Sequence, residues 1–528
     1  MKSSKLKVGG SKAKRVSKPR TSNLKPRTSG PLSIRASYDA AQQGRRLYLW
    51  NPGRPGPNQA ILANLELLRS RSRDAVRNNG WIRKGINSWV SNEIGTGIIP
   101  RAVSPDQDFN AACDALWERW IKHADADGLL DYYGLTALCC RARKEAGEVF
   151  VRYRLRPDDA SLAVPFQLQI LEPEFCPTGE NRLLSGGRRV RAGVEFNGIG
   201  QRMAYWMYRS HPGDQFFFSD NLTLVPVPAD FVLHHFAPLR PGQIRGIPET
   251  VQALISAKIF DEYEDAEAQR KRDKAAYTGV LRRQSYDDND YQYDPFTGAA
   301  LETDSAGVGI QNVQGGSLIQ LLPGEDVTMF DGDVTGGGYA DFIRHELLRL
   351  FSAMDIPYEL GSGDLSKVND RLMRVVLNEF HRILEQSQWH LTVPQISQPV
   401  REFFIRMAVL SGKLDAPGFE SDPDIYFETA WGPQRWQYLN PLQDVEADAA
   451  EIEAGLSSRK RKVAERGEAV EDIDRENSED KERADSLGLT YGASGSSAAA
   501  SDPSSQDPAQ QAAGARLRQF REINAELY

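Results

Sequence analysis

Cysteines and long apolar runs are scarce in this 528-residue chain. The sequence has four cysteines and no CxxC pair, so we expect neither a disulfide framework nor a thiolate metal site. We predict that Cys113, Cys139, Cys140 and Cys176 are buried, reduced thiols. No segment approaches the roughly 18 consecutive apolar residues of a transmembrane helix, and the basic N-terminal stretch lacks the apolar core of a secretory signal. These absences predict a cytosolic protein with no membrane partner.

The motifs of several enzyme classes are also missing. The chain has no GxxxxGK(S/T) loop to hold a triphosphate, and neither HExxH nor GxSxG occurs. His123 opens a stretch that imitates a calcium loop, but the twelfth position is Gly134 where a bidentate Glu is required, and the stretch from Asp331 fails at the same position. His234 and His235 are neighbours on a predicted strand, so their side chains point to opposite faces and cannot bind one ion. We therefore expect no catalytic residue, no metal site and no cofactor.

Positive charge is concentrated near the N-terminus. Residues 1–38 contain eleven Lys and Arg and no acid, and removing these eleven charges from the formal net charge of −7 leaves −18 on the rest. A segment rich in Ser, Gly and Pro cannot bury enough apolar surface to fold alone, so we predict a disordered basic arm over 1–37. The arm either binds nucleic acid or acidic proteins through its charges, or is a solvated tail. Its candidate contact residues are Lys12, Lys14, Arg15, Lys18 and Arg20.

The apolar pattern predicts an α+β protein. With 528 residues, 40% of them hydrophobic, the chain is long enough for two to four domains. Helical spacing, with breaks at Gly80 and Gly95, covers residues 58–95, 106–123 and 133–146. The pattern then changes to short strands over residues 149–155, 166–171, 193–196, 204–208 and 231–236. This half of the chain is therefore expected to form one mixed domain.

Long helical patterns dominate the second half. Residues 248–277 predict a helix of about 45 Å, at 1.5 Å per residue, with a single apolar stripe made by Val251, Leu254, Ile255, Ile259, Phe260 and Tyr263. Helical spacing stops over 278–337 and, after a further helix, over the Gly- and Pro-containing segment 355–368. A strongly amphipathic helix is predicted from Asn369 to about His390, and a helix of mixed charge over 444–466.

The most informative segment runs from His234 to Pro248 and reads His-His-Phe-Ala-Pro-Leu-Arg-Pro-Gly-Gln-Ile-Arg-Gly-Ile-Pro. It ends a strand pattern, turns through three prolines and two glycines, and opens a helical pattern in which Pro248 suits the first turn. The segment resembles the portal subunits of tailed bacteriophages, specifically the lambda-type portal family, in which a Pro-Gly-Gln-x-Arg-Gly-x-Pro joint precedes the stem helix.

Further motifs that fall in family order extend the resemblance from about Tyr38 to about Asp472. They are Gly44-Arg45-Arg46, Trp50-Asn51-Pro52, Leu68 to Asn79, Ile94 to Ile98, Gly147 to Phe150, Leu171-Glu172-Pro173, Leu322 to Glu325, and Asp355 to Tyr358. Two stretches depart from the family. Many members have Tyr-Ser-Ser-x-Arg-Ala where residues 367–372 read Lys-Val-Asn-Asp-Arg-Leu, and Asp-Pro-x-Lys-Glu where residues 440–444 read Asn-Pro-Leu-Gln-Asp.

The resemblance implies a portal fold with a mixed α/β wing, long stem helices, a clip excursion and a helical C-terminal region. The implied regions are the arm at 1–37, the wing at 38–247, the first stem helix at 248–277, the clip at 278–337, the second stem helix at 338–354, a tunnel loop at 355–368, a long helix and wing return at 369–432, a crown-like helical region at 433–484 and a flexible C-terminal tail at 485–528.

By the same resemblance, the protein is expected to form a dodecameric ring at one capsid vertex, the conduit for packaging and ejection of double-stranded DNA. The implied partners are terminase, the major capsid protein, scaffold and head–tail connector proteins, and the implied location is the virion, after assembly in the host cytoplasm. The residues expected to meet DNA in the tunnel loop, with Lys367 on phosphate, are Gly361, Gly363, Asp364, Ser366, Lys367 and Val368. The alternative is a metal-dependent nucleic-acid-processing enzyme, which requires a converging group of carboxylates.

Overall fold

A computed structural model divides the chain into two compact units, Met1–Pro55 and Gly56–Tyr528. The structure describes residues 52–157, 159, 161–214, 223–282, 300, 317–321, 337–434, 436, 441–464, 466 and 470–489. The predicted basic arm, most of the predicted clip with its stretch from Asp331, and the chain beyond residue 489 lie outside the described residues. Every element below belongs to the second unit.

Three helices open this unit: α1 (Pro57–Leu62), α2 (Leu65–Asn78) and α3 (Gly80–Glu93). The helical stretch predicted over 58–95 is confirmed, with one further break after α1. Asn79 separates α2 from α3, because its side-chain oxygen accepts hydrogen bonds from the backbone N–H groups of Trp81 and Ile82 at 3.0 Å each and caps α3. Gly95, with φ of +54°, follows the end of α3.

Two antiparallel sheets form the middle of the chain, after strand β1 (Ile99–Ala102) and helices α4 (Gln107–Trp120) and α5 (Tyr132–Ala146). The first sheet has the order β3-β2-β9, with β2 at Glu148–Leu155, β3 at Phe166–Leu171 and β9 at Val232–Phe236. The second has the order β4-β5-β6-β7-β8, at Arg182–Leu183, Arg189–Arg191, Val194–Phe196, Arg202–Met207 and Val225–Pro228. The predicted strands are thus confirmed, with ends that differ by one or two residues.

Helices dominate the rest of the chain. In order, the elements are α6 (Val251–Ala276), β10 (Tyr277–Arg282), β11 (Ser317–Leu321), α7 (Gly337–Ser352), α8 (Tyr358–Ser362), α9 (Asp370–Ser387), α10 (Gln398–Leu410), α11 (Asp424–Phe427), β12 (Thr429–Gly432), α12 (Pro441–Glu453), α13 (Arg459–Ala464) and α14 (Val470–Leu487). A π-helical turn, Gln388–Ser397, joins α9 to α10. Strand β12 pairs with β1, and β10 pairs with β11 in parallel. The α+β class is confirmed, with helices in the majority.

The core has three parts, two of which lie on the opposite faces of the first sheet. Val149, Val151 and Tyr153 of β2 face α4, α5 and α10, where Trp120 and Phe404 are buried. The opposite face of β2 packs on the second sheet, and α3, α6, α7 and α9 share a separate apolar cluster. Buried apolar side chains thus lie on both faces of the first sheet and in a separate layer of helices.

Three sequence predictions need correction. Helix α6 begins at Val251 and not at Pro248, because the backbone N–H of Glu249 donates to the carbonyl of Lys144 at 3.1 Å and the chain turns before the helix starts. The helix predicted over 444–466 is two helices, α12 and α13, separated by Gly455 with φ of +69°. The segment 355–368, predicted without a regular element, contains α8.

The four cysteines are buried and unpaired, as predicted. Burial raises the pKa of the Cys113 thiol to about 11, and that of the Cys139 thiol to about 12. Both thiols therefore stay protonated and unreactive near neutral pH. In the part of the chain that the structure describes, no helix combines the length and the apolar character that crossing a bilayer requires.

Candidate functional site

The predicted tunnel loop starts with a tightly packed helical turn. Gly361 is buried in α8, and a Cβ atom added to it would overlap the ring of Phe351 in α7. The structure thus gives Gly361 a packing role, since only a residue without a side chain allows this approach. Gly363 differs, because it is exposed, has φ of +75° and ends α8 with no atom near its missing side chain. Conformational freedom in this segment therefore lies at Gly363.

The turn after α8 is organised by Asp364. One carboxylate oxygen accepts hydrogen bonds from the backbone N–H and the hydroxyl of Ser366 at 3.0 and 2.6 Å, and the other accepts from the hydroxyl of Tyr358 at 3.0 Å. The bonds from Ser366, and then the one from Tyr358, hold the pKa of Asp364 below its usual value. Lys367 is exposed at the tip, with no carboxylate in ion-pair distance among the described residues, and Val368 is half-buried. The hydrogen bonds of Asp364 thus fix the backbone of the turn, and Lys367 places an exposed positive charge at its tip.

Helix α9 begins directly after this turn. The side chain of Asn369 caps the helix by accepting the backbone N–H of Leu372 at 2.9 Å. At the start of the helix Leu372 and Val375 are 47% and 62% exposed, whereas at its end Phe380 and Leu384 are buried. The turn with Lys367 therefore sits at the solvent-exposed end of a helix whose other end is anchored in the core.

The Pro-Gly-Gln-x-Arg-Gly-x-Pro joint surrounds a buried carboxylate. The Nε of Arg245 donates to Oε1 of Glu148 at 2.7 Å, and Arg69 pairs with the same oxygen. The backbone N–H of Gly246 donates to Oε2 at 2.7 Å, and His234 lies 2.8 Å from it. Burial disfavours the charge of Glu148, but Arg245 and then Arg69 outweigh burial, and the pKa of Glu148 lies well below its usual value. The joint is therefore locked to the first sheet by charge.

Two glycines let the backbones meet at this carboxylate. Gly147 has φ of +89°, and a Cβ atom on it would overlap the backbone of Ile247. A Cβ atom on Gly246 would overlap the carbonyl oxygen of Gly147. Arg245 adds to the closure, because its Nη1 donates to the carbonyls of Cys176 at 2.9 Å and Ala192 at 2.8 Å. The joint is thus a site of close packing and not a free hinge.

A second buried ion cluster holds the start of α6. Arg143 of α5 lies 2.8 Å from Glu93 of α3 and 3.1 Å from Glu249, and Lys144 also pairs with Glu249. The hydroxyl of Thr392 donates to Glu93 at 2.7 Å. Burial alone would raise the pKa of Glu93, but Arg143 and Lys144 lower it to about 2. The cluster ties α3, α5 and the π-helical turn to the residues that precede α6.

His234 and His235 have separate structural partners, as predicted. His234 lies between Glu148, 2.8 Å from Nε2, and Arg202, 2.7 Å from Nδ1. On His235, Nδ1 faces the amide oxygen of Gln395 at 2.8 Å. Burial lowers the pKa of His234 to about 4 and that of His235 to about 3, so both rings are neutral at pH 7.

Among the residues that the structure describes, one group of acidic and imidazole side chains lies close enough together to hold a metal ion. The ligand atoms of Glu172, Glu174 and His211 all lie within 4.8 Å of one another. Arg73 already binds this group, with its guanidinium nitrogens 2.8 and 2.9 Å from the two oxygens of Glu174 and 3.4 Å from Glu172. The positive charge that the carboxylates need is thus supplied by an arginine.

Helix α6 has two apolar faces where the sequence predicted one stripe. Ala253, Ala257 and Phe260 are buried against α3, α7 and α9. Ile255 and Ile259, assigned to the same stripe, are 73% and 58% exposed. They lie one helical turn apart on the other face, because residues four positions apart are neighbours on a helix surface.

Sequence motifs that are far apart along the chain meet at the joint. Ser72 of α2 lies 2.6 Å from the hydroxyl of Thr250 and donates to the carbonyl of Glu145 at 2.6 Å. The sequence analysis used these motifs as a family signature and did not predict that they form a buried ion cluster. One signal was present: Glu148 stands directly before the apolar run of β2, and a carboxylate in such a place needs a cationic partner.

Comparison with known proteins places the chain in a family. Residues 43–388 match the family model described as phage portal protein, lambda family. The chain is 27% identical over 473 residues to the probable portal protein of Halomonas phage phiHAP-1, covering 87% of this chain and 88% of that protein. It is 22% identical over 471 residues to portal protein B of Escherichia phage lambda, covering 81% and 86%.

A solved structure described as "Neck of empty GTA particle computed with C6 symmetry" contains a chain that aligns with 79% of this chain and 96% of its own, at 13% identity and a TM-score of 0.39. The family assignment rests on the sequence match, which covers more than half of the chain and includes the joint with Arg69, Glu148 and Arg245. The chain belongs to the lambda family of phage portal proteins.

Proposed function

We propose that this chain is one subunit of a dodecameric ring at a single capsid vertex, through which double-stranded DNA is packaged and later ejected. The exposed pair Ile255 and Ile259 supports assembly with further copies, since α6 buries its opposite face within its own subunit. The buried ion clusters at the joint support a rigid connection between α6 and the first sheet.

The regions of the subunit follow from this proposal. Residues 38–247 with the return at 369–432 form the wing, α6 and α7 form the stem, and the excursion 278–337 between these helices forms the clip. Residues 433–484, where the structure has α12, α13 and α14, form the crown-like region. The proposed arm and tail are residues 1–37 and 485–528.

The turn at Gly363, Asp364, Ser366, Lys367 and Val368 is proposed to meet DNA in the channel. The observation that carries this proposal is the position of Lys367, exposed and unpaired with a described carboxylate at the free end of α9. Each subunit, with a net charge of −7, adds one lysine at this turn, so a passing duplex meets far fewer cations than in a uniformly basic lining, where affinity would grow with each neutralised phosphate.

The partners are proposed from the same regions. Terminase and the head–tail connector proteins dock on the clip, and the major capsid protein and scaffold contact the outer surface of the ring. The arm, with Lys12, Lys14, Arg15, Lys18 and Arg20, binds DNA or acidic partner surfaces.

Portal proteins are structural components of the virion and not enzymes, and this role replaces the alternative of a metal-dependent nucleic-acid-processing enzyme. The acidic group in the described residues, Glu172 with Glu174, is neutralised by Arg73 and gives that alternative no support.

A packaging experiment tests the channel turn. Phage assembled with Lys367→Glu is expected to form portal rings and empty capsids but to package or retain less DNA, because the change reverses a charge and leaves the helix contacts intact. Lys413→Glu is the matched control, since Lys413 is an exposed lysine in a different turn. Equal DNA content in the Lys367 variant, the Lys413 variant and the parent phage would refute the channel turn, and loss of rings would show that the turn has an assembly role instead.

A further inference from the structure

Strand β2 carries two arginines on one face, and a third follows the end of the strand. Arg152 and Arg154 are two residues apart on β2, so they point to the same side of the sheet, opposite to Val151 and Tyr153 in the core, and Arg156 comes directly after the last strand residue. In the register of the sheet, Gln169 lies across from Arg152. The face is partly open to solvent, with the first two arginines half-buried and Arg156 exposed.

Two glutamines of β3 hold the guanidinium groups by one nitrogen each. The Nε of Arg154 donates to the amide oxygen of Gln169 at 2.8 Å, and the Nε of Arg156 donates to that of Gln167 at 3.2 Å. Gln167 is itself fixed, because its amide nitrogen donates to the carbonyl of Asp125 at 2.8 Å. Neutral partners thus orient Arg154 and Arg156 and leave the terminal nitrogens of these two side chains available for a ligand.

The described residues form no ion pair with this row. None of the three arginines has a described carboxylate oxygen within 4.0 Å, whereas the buried arginines Arg69 and Arg245 pair with Glu148. Burial, followed by the charges of Arg152 and Arg156, lowers the pKa of Arg154, and Asp127 opposes this effect. Asp159 likewise lies close enough to Arg156 to feel its charge. Three neighbouring arginines without an ion-paired carboxylate favour an anionic ligand.

We propose that this arginine row, defined as Arg152, Arg154 and Arg156, binds the phosphate backbone of double-stranded DNA. Arg152 and Arg154 are about 6.8 Å apart along the strand, far enough for each to contact a different phosphate of a backbone that carries one charge per nucleotide. Each planar guanidinium offers its two terminal nitrogens to a phosphate. The site lies on a β-sheet surface and is separate from the channel turn at Lys367.

A binding experiment with the full chain tests the row. The affinity for a fluorescein-labelled DNA duplex is measured by anisotropy at several salt concentrations between about 50 and about 200 mM. In Arg154→Gln/Arg156→Gln the slope of log affinity against log salt is expected to fall by about 1.8, since each phosphate contact contributes about 0.9. The matched control is Arg189→Gln/Arg191→Gln, because these exposed arginines are also two residues apart and the variant loses the same charge.

Further variants separate charge from folding. Arg154→Lys/Arg156→Lys keeps both charges and should retain the slope of the parent protein. If the double Gln variant does not fold, the single change at the exposed Arg156 to Gln gives the result, with a fall of about 0.9 expected. The Lys367→Glu variant should keep the part of the salt slope that the row contributes. The proposal for the row and the proposal for the channel turn can therefore fail independently, with different results.

Three results would overturn the proposal. The first is a slope in the folded Gln variants equal to that of the parent. The second is an equal fall in the Arg189 and Arg191 control. The third is a folded Gln variant that loses the binding of the parent protein to poly-glutamate while its DNA binding is unchanged, which would assign the row to an acidic protein partner.

Discussion

Arg245 and Glu148 form an ion pair that is closed to solvent, with both side chains at 0% exposure and 2.6 Å between Nη2 and Oε1. The pair joins the motif before α6 to the first residue of β2, which are 97 residues apart in the chain. Because the same carboxylate also binds Arg69 of α2 and His234 of β9, removal of one partner affects these two elements as well. The joint therefore links the residues before α6 to the first sheet through buried charge.

Loss of Arg245 is expected to destabilise the fold strongly. In Arg245→Ala the carboxylate of Glu148 stays buried with one fewer cation, and breaking a buried pair costs about 3 to 5 kcal/mol of unfolding free energy. The exposed pair Arg382 and Glu379 is the control, since Arg382→Ala should cost less than about 1 kcal/mol. Urea denaturation of both variants measures the difference, and equal midpoints would contradict the role given to the buried pair.

The close approach at Gly246 gives a second prediction. In Gly246→Ala the new methyl group overlaps the carbonyl oxygen of Gly147, and both backbones are fixed by Glu148, so we expect a loss of about 2 to 3 kcal/mol. Gly80→Ala is the matched control, because no atom lies within 4 Å of the added Cβ atom. Thermal unfolding should show a lower midpoint for the first variant and an unchanged or slightly higher one for the second. An unchanged midpoint for Gly246→Ala would mean that the backbones separate at little cost.

The sequence predicted the regular elements better than the contacts between them. The strand over 166–171 was predicted with its observed ends, because apolar and polar residues alternate there. The start of α6 was placed three residues early, since the hydrogen bond from Glu249 to Lys144 connects residues 105 positions apart in the chain and leaves no local pattern.

Glycine illustrates the same limit. The sequence analysis placed Gly361 and Gly363 together in the tunnel loop with the same expected role, yet Gly361 packs on Phe351 and Gly363 lies in open space. A glycine that permits a left-handed turn and a glycine that permits close approach have the same letter, and only the neighbour in space distinguishes them. The exposure of Ile255 and Ile259 was not predicted for a similar reason. When a second apolar pair lies beside the buried face of a helix, the sequence shows one broad apolar stripe.

Stability should fall as the solution becomes acidic, starting from about pH 6.5. His234 and His235 have folded pKa values of about 4 and about 3 against 6.5 when unfolded, so between these limits the unfolded chain binds protons that the folded chain does not. Each ring then lowers the unfolding free energy by about 1.4 kcal/mol per pH unit as pH decreases, and the depressed pKa of Glu93 adds to the loss below about pH 4.5.

Urea midpoints from pH 8 to pH 5 measure this dependence. Below pH 6.5, His235→Gln should reduce the slope of unfolding free energy against pH by the contribution of about one proton. This holds whatever the substitution does to stability at neutral pH. A parent protein equally stable at pH 7 and pH 5 would show that these two rings accept protons in the folded state.

Assembly should depend on Ile255 and Ile259. Burying an isoleucine side chain contributes about 1.5 to 3 kcal/mol, and in a closed ring the same face is used once per subunit, so placing two carboxylates there removes that contribution at every interface. Ile255→Glu/Ile259→Glu is therefore expected to shift the protein from a ring of about 0.7 MDa, twelve times 58.9 kDa, toward the single chain. The unfolding midpoint of the variant should change little, because both side chains face solvent in the subunit. Sedimentation velocity measures the shift.

Ile199→Glu is the control. Ile199 is 83% exposed on a turn between β6 and β7, so this change should leave the ring intact. Rings of equal mass in all three proteins would remove this face of α6 from the subunit interface.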